Sequence, residues 1–105
     1  MVNYMETNNC LLSCVIVNYR TPQYLIDCLP GLLSEIEGID ASITIVDNKS
    51  GDDSVEIIRM WISSNGSDHR IRIIESPVNA GFAAGNNIGI SSHSAKFYLL
   101  LNSDT

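Results

Sequence analysis

Four polar clusters in this sequence could do chemistry, and three of them close an apolar run. Asn18-Tyr19-Arg20 follows LLSCVIVN. A tyrosine at the mouth of a crevice offers a flat face to a nucleobase, and such stacking contributes about 1–3 kcal/mol per base. A loop tyrosine packed on the following helix is the plainer alternative. Asp47-Asn48-Lys49-Ser50-Gly51-Asp52 follows SITIV. An aspartate there can accept an N–H from a pyrimidine ring or a ribose hydroxyl. Equally, Asp47, Asn48, Ser50 or Asp52 can build an Asx-turn or cap a helix. Asn102-Ser103-Asp104 closes KFYLLL. A carboxylate leaving an apolar strand is badly placed without a partner. Mg²⁺ or Mn²⁺, held by one or two carboxylates and substrate phosphates, would supply one; a simple turn is the alternative.

The fourth cluster is Asn79-Ala80-Gly81-Phe82-Ala83-Ala84-Gly85-Asn86-Asn87-Ile88-Gly89. Gly81, Gly85 and Gly89 recur at every fourth position and so share one face of a helix. Each glycine costs a helix up to about 1 kcal/mol relative to alanine, so close approach to a ligand or to a sheet is needed to explain them. The spacing is not GxGxxG and does not follow the first strand, which argues against a nicotinamide-dinucleotide fingerprint.

The elements that position these clusters follow from periodicity. Residues 11–18, 42–46, 70–75 and 96–101 read as strands, rich in β-branched or apolar side chains. Between them, Thr21 and Pro22 open a first helix whose Leu25, Leu29, Leu32, Leu33 and Ile36 share a face. Pro30 predicts a kink or short break in it. Asp53 with Glu56 resembles a capping box ahead of Val55, Ile58 and Ile62, and Asn65-Gly66 ends that second helix. Residues 81–90 form a third helix. Alternation of this kind predicts an α/β fold, a Rossmann-like parallel sheet of about four strands with flanking helices. The unbroken apolar runs at 15–17 and 98–101 predict central strands. Ligands of such sheets bind at the carboxyl ends of the strands, where all three strand-end clusters lie.

Composition narrows the classes. The chain has 105 residues, 45% of them hydrophobic and 17% charged, which is a folded single domain rather than a disordered segment. Six Lys and Arg against 12 Asp and Glu give a net charge of −6, so no nucleic-acid partner is expected. No apolar run is long enough for a membrane span. Residues 1–10 carry Glu6 and no basic n-region, and read as a flexible polar tail rather than a secretory leader. Cys10, Cys14 and Cys28 are odd in number and lack CxxC spacing, which predicts reduced thiols and a cytoplasmic setting.

Taken in order, CVIVNYR, VDNKSGDDS, NAGFAAGNNIGI and LLLNSDT resemble the N-terminal half of the family 2 inverting glycosyltransferases of GT-A fold. The last two motifs are similar to a bacterial, rhamnosyltransferase-like subgroup. The resemblance implies that residues 11–105 are the nucleotide-sugar-binding half of such a domain, truncated after a DxD-like motif. It implies nucleotide binding by Asn18, Tyr19, Asp47, Asn86 and Ser103, with Asn86 standing where many relatives have an arginine. It implies a divalent cation, Mg²⁺ or Mn²⁺, on Asp104. Asn102 replaces the first carboxylate of the motif, which predicts low metal affinity, and Ser103 stands where the subgroup often has proline.

The implied reaction moves a rhamnose-like or other hexose from a dTDP- or UDP-sugar donor to a glycan or lipid-linked acceptor, in bacterial cell wall or polysaccharide biosynthesis. The cytoplasmic enzyme could then sit on the inner face of the membrane. Inverting transfer also needs a carboxylate to deprotonate the acceptor, and no residue here is assigned to that role. Asp27, Glu35 and Glu37 read as solvated helix charges, so the isolated chain is expected to be inactive. A second reading is a non-catalytic module that self-associates, as a homo-oligomer, or binds a partner through an unpaired edge at residues 96–101.

Overall fold

Strands and helices alternate along the whole of the structure, a computed structural model describing residues 10–67, 69–79 and 81–102. The order is β1 (Cys10–Asn18), α1 (Pro22–Glu35), β2 (Ala41–Asp47), α2 (Ser54–Ser64), β3 (Ile71–Glu75), α3 (Phe82–Ser92) and β4 (Ala95–Asn102). The strands form one sheet in the order β3-β2-β1-β4, and every pairing is parallel. The predicted α/β architecture is therefore present.

Period-two alternation divides each central strand between two cores. Cys14 and Ile16 of β1 join Ile43 and Ile45 of β2 beneath Leu25 and Leu29 of α1 and Ile58 and Ile62 of α2. On the other face Val15, Val17 and Val46 meet Ile88 and Ile90 of α3. The second core is small because α3 lies close to the sheet. A Cβ on Gly85 would stand 3.0 Å from both methyls of Val17, and one on Gly89 would collide with Val15 Cγ1. Gly81 does not share that face. It precedes α3 with φ +92°, so its role is a left-handed turn that favours glycine.

Four expectations are corrected in detail. Pro30 does not break the first helix: α1 runs continuously from Pro22 to Glu35. Leu25 and Leu29 before it, and Leu32, Leu33 and Ile36 after it, are seated on one core, and that packing offsets a local cost of about 3 kcal/mol. Thr21 occupies the N-cap without capping, because its hydroxyl donates to Asn18 Oδ1 at 3.2 Å. Asp53 likewise makes no cap bond, and Asp52 Oδ1 instead accepts the Ser54 N–H at 2.9 Å. Finally, β4 is an edge strand rather than a central one, and Phe97, Tyr98, Leu99 and Leu100 are exposed on it. Of its apolar run, Leu101 packs against the main core, while the four residues before it remain exposed.

Gly89→Ala tests the close approach of α3. Val15 is fully buried and has no room to yield. Overpacking of about 1–3 kcal/mol should exceed the helix-propensity gain of up to about 1 kcal/mol. The expected outcome is a lower urea midpoint, with Gly85→Ala less affected; an unchanged or raised midpoint for Gly89→Ala would refute the contact.

Candidate functional site

Parallel pairing aligns the carboxyl ends of the strands as one rim. Asn18 stands opposite Asp47, Asp47 opposite Glu75, and Asn102 opposite Val17. Two backbone bonds extend the ladder past the strands: Asn48 N–H to Asn18 O and Ser76 N–H to Asp47 O, both 2.8 Å. The chain steps outward from β1 to β3 and then returns to the other side of β1. The gap between β1 and β4 is therefore the topological switch point of the sheet.

Asp47 is only 4% exposed, yet its carboxylate is well supplied with donors. Oδ1 accepts Asn18 Nδ2 at 2.9 Å and the Ser50 hydroxyl at 2.7 Å, and Oδ2 accepts the Ser50 N–H at 3.0 Å. The turn-building role is thus real. Asp47 also lines a cavity of about 400 Å³, together with Lys49, Asp52, Glu56, Arg59 and Glu75. That volume lies in the range of small-molecule sites. Arg59 Nη2 is paired with Glu75 at 3.2 Å, an exposed bridge of little energetic weight.

Tyr19 is 38% exposed, and the Arg20 guanidinium lies over its ring, 5.2 Å from the centroid. One face of the ring is therefore covered by a cation–π contact. Arg20 is anchored twice to Ser50: its N–H donates to Oγ at 2.9 Å and its Nε to the carbonyl at 2.8 Å. Arg20 and Lys49 both have positive φ, +59° and +57°, conformations that non-glycine residues adopt at a cost. Both stand two residues beyond a strand end.

Asn48 ties this rim to α3. Its Nδ2 donates to Asn79 Oδ1 at 2.9 Å and to the Gly81 carbonyl at 3.1 Å, and Asn79 Oδ1 also accepts the Gly81 N–H. Asn86 stands apart. It lines a smaller cavity of about 210 Å³ with Phe82, Leu100, Leu101 and Asn102, and its buried Oδ1 has no partner among the described residues.

Asn18, Tyr19 and Asp47 are thus brought together, Asn86 faces a separate cavity, and Ser103 and Asp104 lie outside the described residues. Sequence reasoning gave Ser50 no more than a turn-building role and left Arg20 without one. The Asp-x-x-Ser spacing of 47 and 50 was the available signal, since an aspartate side chain can accept the N–H three residues on, as it does at a helix N-cap. Nothing local announces Arg20.

The family profile described as "Glycosyl transferase family 2" matches residues 13–105. Among curated proteins, glycosyltransferase GlyG of Streptococcus pneumoniae serotype 4 is 30% identical over 94 residues, spanning 90% of this chain and 30% of that protein. Among solved structures, the mannosyltransferase PcManGT from Pyrobaculum calidifontis, in complex with GDP-Man and Mn²⁺, superposes with a TM-score of 0.78 at 14% identity. That match covers 93% of this chain and 28% of the mannosyltransferase. TarS from S. aureus in complex with UDP gives 0.70 at 19% identity, over 90% of this chain and 27% of that one. The chain therefore spans less than a third of the length of these relatives.

Asp52, at the mouth of the larger cavity, has a testable titration. The Ser54 hydroxyl and N–H beside its carboxyl hold it below the usual aspartate range, and the N–H is the group in hydrogen-bond geometry. A depressed carboxyl contributes stability above its unfolded pKa and loses it as pH falls through the folded value. Denaturation midpoints followed from neutral into acid should fall less steeply for Asp52→Ala than for the native chain. Parallel acid limbs would contradict this account.

Proposed function

Because this chain belongs to glycosyl transferase family 2, we propose that it is the nucleotide-sugar-binding portion of a glycosyltransferase. The donor is a nucleoside diphosphate hexose, dTDP- or UDP-activated and rhamnose-like or another hexose, and the acceptor of the whole enzyme is a glycan or a lipid-linked glycan. The observation that carries this reading is the meeting of Asn18, Tyr19 and Asp47 at one rim, beside a cavity of about 400 Å³. Tyr19 offers the ring face that Arg20 leaves open, and Asp47 offers Oδ2, which carries a single internal hydrogen bond. A carboxylate oxygen has room for a further donor, such as a pyrimidine N–H. On this reading Asn86 of α3 and Ser103 complete the nucleotide-binding set.

A divalent cation suits the donor chemistry at the end of β4. Asn102 carries an amide oxygen and Asp104 a carboxylate, and hard ions such as Mg²⁺ or Mn²⁺ take oxygen ligands of this kind together with substrate phosphates. Asn102 supplies a neutral oxygen where a carboxylate would supply charge, so weak binding without nucleotide is expected. When bound, such an ion neutralises charge on a departing diphosphate. On this reading the chain's own residues hold and orient the nucleotide base. None is assigned as the base that deprotonates the acceptor. Among the described residues no helix is long and apolar enough to cross a membrane.

A second reading rests on β4. Its outer edge pairs with no strand among the described residues, and Phe97, Leu99 and Leu100 are exposed beside it. Such an edge is a template for another chain. On this reading the domain self-associates.

Two measurements separate these readings. UDP and dTDP titrated into the chain should bind weakly, more tightly with Mn²⁺, and without that Mn²⁺ gain in Asp104→Ala; affinities indifferent to both changes would discard the donor-site reading. Light scattering at high concentration should find dimers or larger species if β4 recruits a second copy, and a monomer counts against that.

A further inference from the structure

Ser50 is 1% exposed and every polar atom it has is engaged toward the rim. Its hydroxyl has one proton and two lone pairs. The proton goes to Asp47 Oδ1 at 2.7 Å, and the oxygen accepts the Arg20 N–H at 2.9 Å and Asn18 Nδ2 at 3.4 Å. The N–H of Ser50 meets the other Asp47 oxygen at 3.0 Å, so one residue grips both ends of the carboxylate. Its carbonyl receives Arg20 Nε at 2.8 Å, which aims the guanidinium over the Tyr19 ring at 5.2 Å. Tyr19 and Asp47 stand on different strand ends, and this serine bonds to both segments.

We propose that Ser50 is a positioning residue that fixes the Asp47 carboxylate and the Tyr19–Arg20 turn in one relative geometry, so that a nucleotide base meets both at once. The inference rests on the nucleotide-binding reading above. It assigns no contact with ligand to Ser50 itself. Hydrogen bonds to an ionised acceptor are short and strong, as the 2.7 Å distance to Asp47 is. Alanine at this position removes the donor to Oδ1 and the acceptor for the Arg20 N–H, while Asn18 and the Ser50 backbone N–H still satisfy Asp47. The Arg20 turn, already at φ +59°, then loses an anchor. What should change is the alignment of the two groups, more than their presence.

The experiment compares Ser50→Ala, Ser50→Thr and Ser13→Ala with the native chain. Ser13 is a fully buried serine within β1, remote from the rim, whose hydroxyl has no partner among the described residues, and it controls for removal of a buried hydroxyl not tied to the rim. UDP affinity in the presence of Mn²⁺, the urea midpoint and Arg20 amide exchange are measured on each. Ser50→Ala should bind UDP roughly tenfold more weakly, because a site that is no longer pre-organised must be ordered on binding, and its Arg20 amide should exchange faster. Ser50→Thr, which keeps the hydroxyl, should recover both. If Ser50→Ala does not fold, Ser50→Cys keeps the bulk with a weak donor and should show the same changes in smaller degree. Native affinity in a folded Ser50→Ala overturns the proposal, as does equal weakening in Ser13→Ala. A native chain that binds no UDP overturns the nucleotide reading and this role with it. In that case unaltered Arg20 exchange in Ser50→Ala would show that the hydroxyl link is absent as well.

Discussion

A carboxylate almost out of reach of water governs the organisation of this domain. Burying an ionised aspartate is costly unless hydrogen bonds replace its hydration. Asp47 meets that demand with three donors, one from Asn18 at the end of β1 and two from Ser50 in the turn after β2. The arrangement requires Asn18 and Asp47 to stand opposite each other. A slip of one residue would turn every side chain of a strand to the wrong face. Hydrophobic alternation and carboxylate satisfaction therefore select the same register, and the turns beyond β1 and β2 are fixed as a consequence.

The residue after Asp47 extends the constraint to the opposite face. Asn48 is 3% exposed and holds Asn79 and the Gly81 carbonyl, so the start of α3 is fastened to the end of β2. Gly85 and Gly89 then let α3 descend onto Val17 and Val15. The glycines that weaken α3 as an isolated helix are what permit its contact with the sheet. Helix propensity and packing conflict here, and packing prevails. Pro30 in α1 is the same conflict with the same outcome.

These cases mark how far the sequence could be read. Strand and helix positions were legible because β-branched runs and helical spacing are local signals, and they survive to within a residue or two. The rim was legible because parallel topology puts every strand's carboxyl end on one side. Capping was less so, since Thr21, Asp52 and Asp53 are chemically alike as caps and tertiary hydrogen bonds decide among them. The burial of β4 was misread because an apolar run records what a strand packs against without saying where that partner is. The convergence of Arg20 on Ser50 depends on a left-handed backbone at a non-glycine residue, which no composition rule announces.

The pairing of β4 with β1 joins Cys10 to Ala95 across nearly all of the described chain. By contrast β1, β2 and β3 pair in sequence order, each with its nearest predecessor. Closing a long loop costs more chain entropy than closing a short one, and contacts of high sequence separation slow folding. The three-stranded part with α1 and α2 can therefore assemble first, with α3 and β4 docking afterwards. The half of the rim that holds Asp47 is built on pairings between successive strands, while the switch-point gap beside β4 depends on the pairing of longest sequence separation.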